Sequence, residues 1–160
     1  MKTNKASFAK FYLSTHNVLR ILALCAALGV AVPSMAQSMP VVEVYKSPEC
    51  GCCKAWAEHL QKNGFSVILH DVDDVPAARK KLGMPNRYGA CHTAKVGQYL
   101  VEGHVPAADI KQLLKQQPKA IGLAVPSMPP GSPGMEGERS VPYDTLLVTQ
   151  DGNTTVFAHH

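Results

Sequence analysis

Beyond its first segment this chain carries no net charge, and it has no apolar run long enough to span a membrane, few aromatics and no internal repeat. Each lack removes a class of protein. Of 16 Lys and Arg, four (Lys2, Lys5, Lys10 and Arg20) precede the first apolar run, and from Gln37 onward 12 basic residues face 12 acidic ones. A balanced chain has no basic footprint for a phosphate backbone, so no nucleic-acid partner is expected. The longest apolar run, Ile21 to Val32, has 12 residues, whereas a helix needs about 20 to cross a bilayer. A retained transmembrane anchor is therefore not expected. Aromatics are 6%, but apolar residues reach 46% and charged residues 18%. This is the composition of one ordinary globular domain, and it excludes a disordered tail or a collagen-like chain.

What precedes Gln37 reads as an address. A basic lead without an acid, the apolar run, and then Ser34-Met35-Ala36 at the exit form the secretory layout. We expect a signal peptide over residues 1–36, cleaved after Ala36, and a single domain over 37–160. The mature protein would then have no membrane attachment.

Cys25 leaves with the signal, and Cys50, Cys52, Cys53 and Cys91 remain. An even count in an exported protein suggests a disulfide framework. Yet three thiols within four residues close only a tiny loop, and the adjacent Cys52 and Cys53 are hard to join without strain. Clustered thiols point instead to a reactive or metal-binding site.

Hydropathy and turn residues predict a strand over Val41–Tyr45, a helix over Lys54–Lys62 ended by Asn63-Gly64, and a strand over Phe65–His70. Asp73-Asp74 caps a second helix, Val75–Leu82, with Pro76 in its first turn and Gly83 behind it. His92–Val96 and Tyr99–Glu102 read as a hairpin, and a third helix runs from Pro106 to about Gln116. The Pro- and Gly-rich stretch Gln117–Pro142 predicts a loop without regular structure. Thr145–Thr149 and Thr154–Phe157 form a hairpin around Asp151-Gly152. The expected fold class is α/β: a mixed sheet flanked by helices, with an added Pro/Gly-rich loop and a C-terminal hairpin.

The chemistry concentrates where the first strand meets the first helix. Ligands gather beyond the carboxyl end of a strand, and a helix N-terminus presents free N–H groups and a positive dipole end. Both favour thiolate, so lowered pKa values are expected at Cys50, Cys52 and Cys53. Cys50 and Cys53 have C-x-x-C spacing, but dithiol exchange needs only two sulfurs and Cys52 adds a third. Thiolates prefer Cu(I), Zn(II) or iron–sulfur clusters. Structural zinc normally shows two separated ligand pairs, and the second pair is missing here. Cys91-His92 and His104 are the remaining candidates, and the thioethers of Met128 and Met135 lie on the Pro/Gly loop. The inventory ranks copper first, zinc second and iron–sulfur third.

Tyr45-Lys46-Ser47-Pro48-x-Cys50-Gly51-Cys52-Cys53-x-x-Trp56, Cys91-His92-Thr93-Ala94, Glu102-Gly103-His104-Val105-Pro106 and Gly131-Ser132-Pro133-Gly134-Met135-Glu136 together resemble the periplasmic CopG-type copper-handling family, formerly a domain of unknown function. The resemblance covers the mature chain. It implies a thioredoxin-like fold, copper at the C-x-C-C motif and a link to copper resistance. It also implies that the loops carrying Cys91-His92 and His104 approach the cysteines.

The expected site is metal-binding: Cys50, Cys52, Cys53, Cys91, His92 and His104 hold one or more Cu(I) ions, with Met128 and Met135 balanced between ligation and pinning the loop. Thiolate bridging allows a multinuclear centre. The expected function is periplasmic copper binding in copper resistance, by sequestration, transfer or Cu(I)/Cu(II) cycling. Copper ions and other periplasmic copper-handling proteins are the expected partners. The rival is a thiol–disulfide oxidoreductase using Cys50 and Cys53, which an oxidising compartment also suits; whether the chain is an enzyme stays open. A third reading is a zinc- or disulfide-stabilised domain. His59, seven residues beyond Cys52 on a helix, is excluded from the ligand set. His70 is expected to be solvated, His159 and His160 to form a flexible tail, and Trp56 and Leu60 to belong to the core.

Overall fold

The computed structural model describes residues 39–160. The predicted signal peptide and its cleavage point lie outside the described residues. Strand β1 (Val42–Lys46) buries Val42, Val44 and Lys46 on one face by strict alternation. It extends one residue past the expected end because Lys46 pairs with His92 on one side and Asp71 on the other.

Helix α1 (Gly51–Lys62) starts earlier than expected, with Cys50 at its N-cap, so Cys52 and Cys53 lie in its first turn. Cys is not a favoured cap and Gly is a poor helix former within the first turn, which is why the sequence pattern begins only at Lys54. Cys53, Trp56, Ala57 and Leu60 form its buried stripe. Strand β2 (Val67–Asp71) runs parallel to β1. Phe65, expected to open this strand, turns into the core, and its N–H donates to the Leu60 carbonyl at 3.1 Å.

Helix α2 (Val75–Leu82) has the predicted limits. Asp74 Oδ1 accepts the Ala77 N–H at 2.8 Å, and Gly83 ends the helix in the left-handed region, φ 101°. After a short turn at Asn86–Tyr88, strands β3 (His92–Val96) and β4 (Tyr99–Gly103) form the expected hairpin. Helix α3 (Ala107–Gln116) follows Pro106.

The Pro/Gly stretch is not wholly irregular. Ala120–Val125 forms β5, parallel to β4 and antiparallel to the next strand. The prolines at 118 and 126 bound this strand without entering it. Gly122 sits so close to the Leu100 carbonyl that any side chain would collide with it. The hairpin β6 (Asp144–Thr149) and β7 (Thr154–His159) therefore extends the main sheet instead of standing apart. The order is β2-β1-β3-β4-β5-β6-β7. The last residues are not a flexible tail. His159 pairs with Asp144 at 2.6 Å, and His160 exchanges backbone hydrogen bonds with Tyr143 while its Nε2 meets Asp109 Oδ2 at 2.8 Å.

One face of the sheet packs Val44, Val101 and Leu123 against Trp56 and Leu60 of α1 and Ile110 and Leu113 of α3. Complete burial of each large aliphatic side chain contributes about 2 kcal/mol. Met84, Leu100, Ala124 and Val148 form a second, smaller cluster. The parallel β1-α1-β2 unit, the β3-β4 hairpin and α3 constitute the thioredoxin-like α/β fold, with β5, β6 and β7 added at one edge.

Candidate metal centre

Three chain segments meet at one end of the sheet. Antiparallel pairing sets Lys46, the last residue of β1, beside His92, the first of β3. The pairing of Thr93 with Glu102 then brings the end of β4, and His104 beyond it, to the same end. The loop after β1 delivers Cys50 and the first turn of α1.

The four thiols expected to converge do so. Cys50 and Cys53 are joined as a disulfide, with Cα atoms 5.4 Å apart. Cys52 Sγ lies 3.6 Å from Cys50 Sγ and 3.8 Å from Cys91 Sγ. The joined pair has no thiol to titrate, so the lowered pKa values expected at Cys50 and Cys53 do not apply to this form. Cys52 and Cys91 are free.

Cys91 belongs to two donor sets. One is Cys50, Cys52, Cys53 and Cys91, and the other is Cys91, His92 and His104, with the candidate ligand atoms of each set within 4.8 Å of one another. His104 Nδ1 donates to the Pro133 carbonyl at 2.7 Å. That bond leaves Nε2 with its lone pair towards Cys91 Sγ, 3.1 Å away. His92 Nδ1 is 3.6 Å from the same sulfur, and its Nε2 is buried with no hydrogen-bond partner among the described residues. The His92 ring packs on Trp56, with centroids 4.3 Å apart, and Trp56 is itself fixed by Nε1 donating to the Val105 carbonyl at 2.8 Å.

Burial sets the protonation of this second set. It pushes the Cys91 thiol up to about 12, with the neighbouring Cys52 adding to the effect. It pushes His92 down to about 3, with His104 contributing, and it lowers His104 too. Without a metal, the set is a neutral thiol between two neutral imidazoles, the form in which imidazole nitrogen is a ligand.

The Pro/Gly loop crosses the site. Gly134 (φ 83°) lies so close to α1 that a Cβ there would stand 2.7 Å from Trp56 N and 2.8 Å from Cys52 O. Ser132 and Pro133 are buried. Glu136 accepts the Gly134 N–H at 2.8 Å, which holds its carboxyl below the usual range. Met135 is half-buried next to this crossing, and Met128 is 45% exposed. His59 is occupied elsewhere: its Nε2 accepts the Ala107 N–H at the start of α3. His70 stacks on Tyr45 and meets Glu43 at 3.2 Å, so it is half-solvated and tied to the sheet surface.

Three buried charges near the centre stand outside the predicted ligand set. Lys46, 1% exposed, reaches Asp71 Oδ1 at 2.5 Å and the Ser47 carbonyl at 3.1 Å. Arg79 and Glu102 form a buried pair at 2.8 Å. Their signal was positional: Lys46 continues the inward series Val42, Val44, and Arg79 sits one turn beyond the buried Val75.

Fold and site together define a thioredoxin-like domain with a thiol–imidazole cluster at the start of its first helix. A family model described as Glutaredoxin matches residues 42–85, and one described as Protein of unknown function, DUF411 matches residues 88–135. Two solved structures, both titled as copper resistance protein CopG (Form 2 and Form 1), are 43% and 44% identical to this chain, with TM-scores of 0.72 and 0.71. Each comparison covers 76% of this chain and 98% of the other. No curated protein sequence matches. The chain belongs to the CopG family. Among the described residues no helix is long and apolar enough to cross a membrane.

Proposed function

We propose that this chain is a periplasmic copper-binding protein that serves copper resistance, exported by residues 1–36 and released by cleavage after Ala36. The observation that carries the reading is the convergence of Cys52, Cys91 and His104 beside the Cys50–Cys53 pair in a member of the CopG family. Exchange with an external dithiol, which leaves as its own disulfide, converts that pair into two more thiols. Cys50, Cys52, Cys53 and Cys91 then offer four soft sulfurs, donors suited to Cu(I) or zinc, and the copper-resistance relatives favour Cu(I) of the two. His92 and His104 complete a second set around Cys91, and one thiolate shared by two sets suits a multinuclear centre. The Pro/Gly loop that crosses the site carries the thioethers of Met135 and Met128, available as further soft donors. Sequestration, transfer to another periplasmic copper protein and Cu(I)/Cu(II) cycling all use this site.

The test is metal analysis after anaerobic Cu(I) loading of reduced protein. Copper retained through desalting, and lost from the Cys52→Ser/Cys53→Ser variant, is expected; no retention, or equal retention by the variant, refutes the reading. The closed Cys50–Cys53 pair at a helix N-terminus favours one rival, thiol–disulfide exchange. Efficient insulin reduction without metal would support that rival.

A further inference from the structure

The buried pair Arg79–Glu102 has no role in the chemistry above, and its placement is specific. Arg79 on α2 is 4% exposed and Glu102 on β4 is fully buried. Taking both charges out of water is costly, and a buried ion pair is weak evidence for stability. Its contacts suggest another use. Arg79 Nη2 donates to the Ala90 carbonyl at 2.8 Å, and Glu102 Oε1 accepts the Ala90 N–H at 2.8 Å. One residue thus has both backbone polar groups held by the two halves of one ion pair, and the next residue is Cys91.

The packing around this grip is close. A Cβ on Gly89 would stand 2.9 Å from Arg79 Nη1, so the guanidinium passes close against the chain there. A Cβ on Gly103 would stand 2.7 Å from the Ala90 side chain, and His104 follows Gly103 directly. The segment entering Cys91 and the segment entering His104 are therefore pressed together at Ala90.

We propose that Arg79 and Glu102 are positioning residues for Cys91: they clamp the Ala90 backbone and so set the thiol between Cys52 and His104. A guanidinium is the right device, because the two N–H bonds of Arg79 Nη2 point in fixed directions, towards the Ala90 carbonyl and the Glu102 carboxylate. A free Ala90 would let Cys91 swing away from both partners. The purpose of the clamp rests on the copper reading of the site, but its geometry can be tested without copper.

In the metal-free oxidised protein, Cys52 and Cys91 are the free thiols among the described residues. Their alkylation rates by iodoacetamide can be followed separately by peptide mass spectrometry. The variant Arg79→Met/Glu102→Leu replaces the whole pair with apolar side chains, an exchange that buried pairs commonly tolerate. Arg79→Lys keeps the charge balance and loses the fixed N–H directions of the planar guanidinium. We expect the Cys91-to-Cys52 rate ratio to rise by about tenfold in the double variant and by less in Arg79→Lys, with circular dichroism unchanged. Cu(I) affinity by chelator competition should fall by about 10- to 100-fold, the usual effect of losing the groups that orient metal ligands. A purely structural pair would move both thiols together or neither. An unchanged rate ratio in the folded variants overturns the proposal. If the ratio rises while the parent protein retains no copper, the clamp stands and the copper reading falls.

Discussion

Gly134→Ala probes how tightly the Pro/Gly loop is laid over the start of α1. The new methyl would stand 2.7 Å from Trp56 N and 2.8 Å from Cys52 O, where ordinary contact begins at 3.4 Å. Both obstacles are helix backbone, so the loop has to move outward by 3.4 − 2.7 = 0.7 Å. The backbone at φ 83° adds a left-handed penalty for alanine of about 1 kcal/mol. Outward movement also stretches the 2.7 Å bond from His104 Nδ1 to the Pro133 carbonyl, worth about 1 kcal/mol. Together these predict a loss of about 2 kcal/mol in urea denaturation of the metal-free protein. The His104 ring resonances should shift as well. Gly137→Ala is the control, since nothing lies within 4 Å of a Cβ there; its effect should stay within about 0.5 kcal/mol. If Gly134→Ala is as stable as the control and the His104 signals do not move, the loop does not press on the helix as described.

Other perturbations have equally definite outcomes. Trp56→Phe strands the Val105 carbonyl that now accepts the indole N–H at 2.8 Å; a loss of about 1–3 kcal/mol is expected in the same assay. Cys91 is raised from 9.0 to about 12 in the folded state. Above the unfolded value the native state therefore binds more protons than the unfolded one, and its contribution to stability, intact below pH 9, is lost as pH rises towards 12. A pH series of urea midpoints should show that decline for the metal-free protein and a flatter one for Cys91→Ser. Copper uptake near neutral pH should release the Cys91 proton, measurable in weakly buffered solution. Asp109→Ala removes the acceptor shared by Thr145 Oγ1 (2.6 Å) and His160 Nε2 (2.8 Å); amide exchange at the end of β7 should accelerate.

What the sequence disclosed depended on how local each cause was. Helix α2 was readable to the residue because Asp74, Pro76 and Gly83 mark its ends within the chain itself. The start of α1 was not, because Cys50 and Gly51 are placed by the sheet and by contacts of the first turn. Strand β5 was lost among flanking prolines; its six residues are apolar and proline-free, but their partners β4 and β6 are tertiary facts. The cysteine motif was visible by spacing. That Cys91 and His104 reach it followed from family resemblance, since no local pattern links residues that meet only through β3 and β4. The Arg79–Glu102 pair was illegible for the same reason: it joins a helix to a strand across the fold. His160 was misread because a terminal histidine carries no sign that Asp109 and Tyr143 await it.

The donors around Cys91 lie at different depths. His92 and His104 have no exposed surface, whereas Cys50, Cys52 and Cys91 are partly open. The centre is a well with three sulfurs at its rim and two imidazoles, together with Cys53, buried within. For an ion held as proposed, exchange would begin at the partly open sulfurs of Cys50, Cys52 and Cys91, before the buried imidazoles are reached.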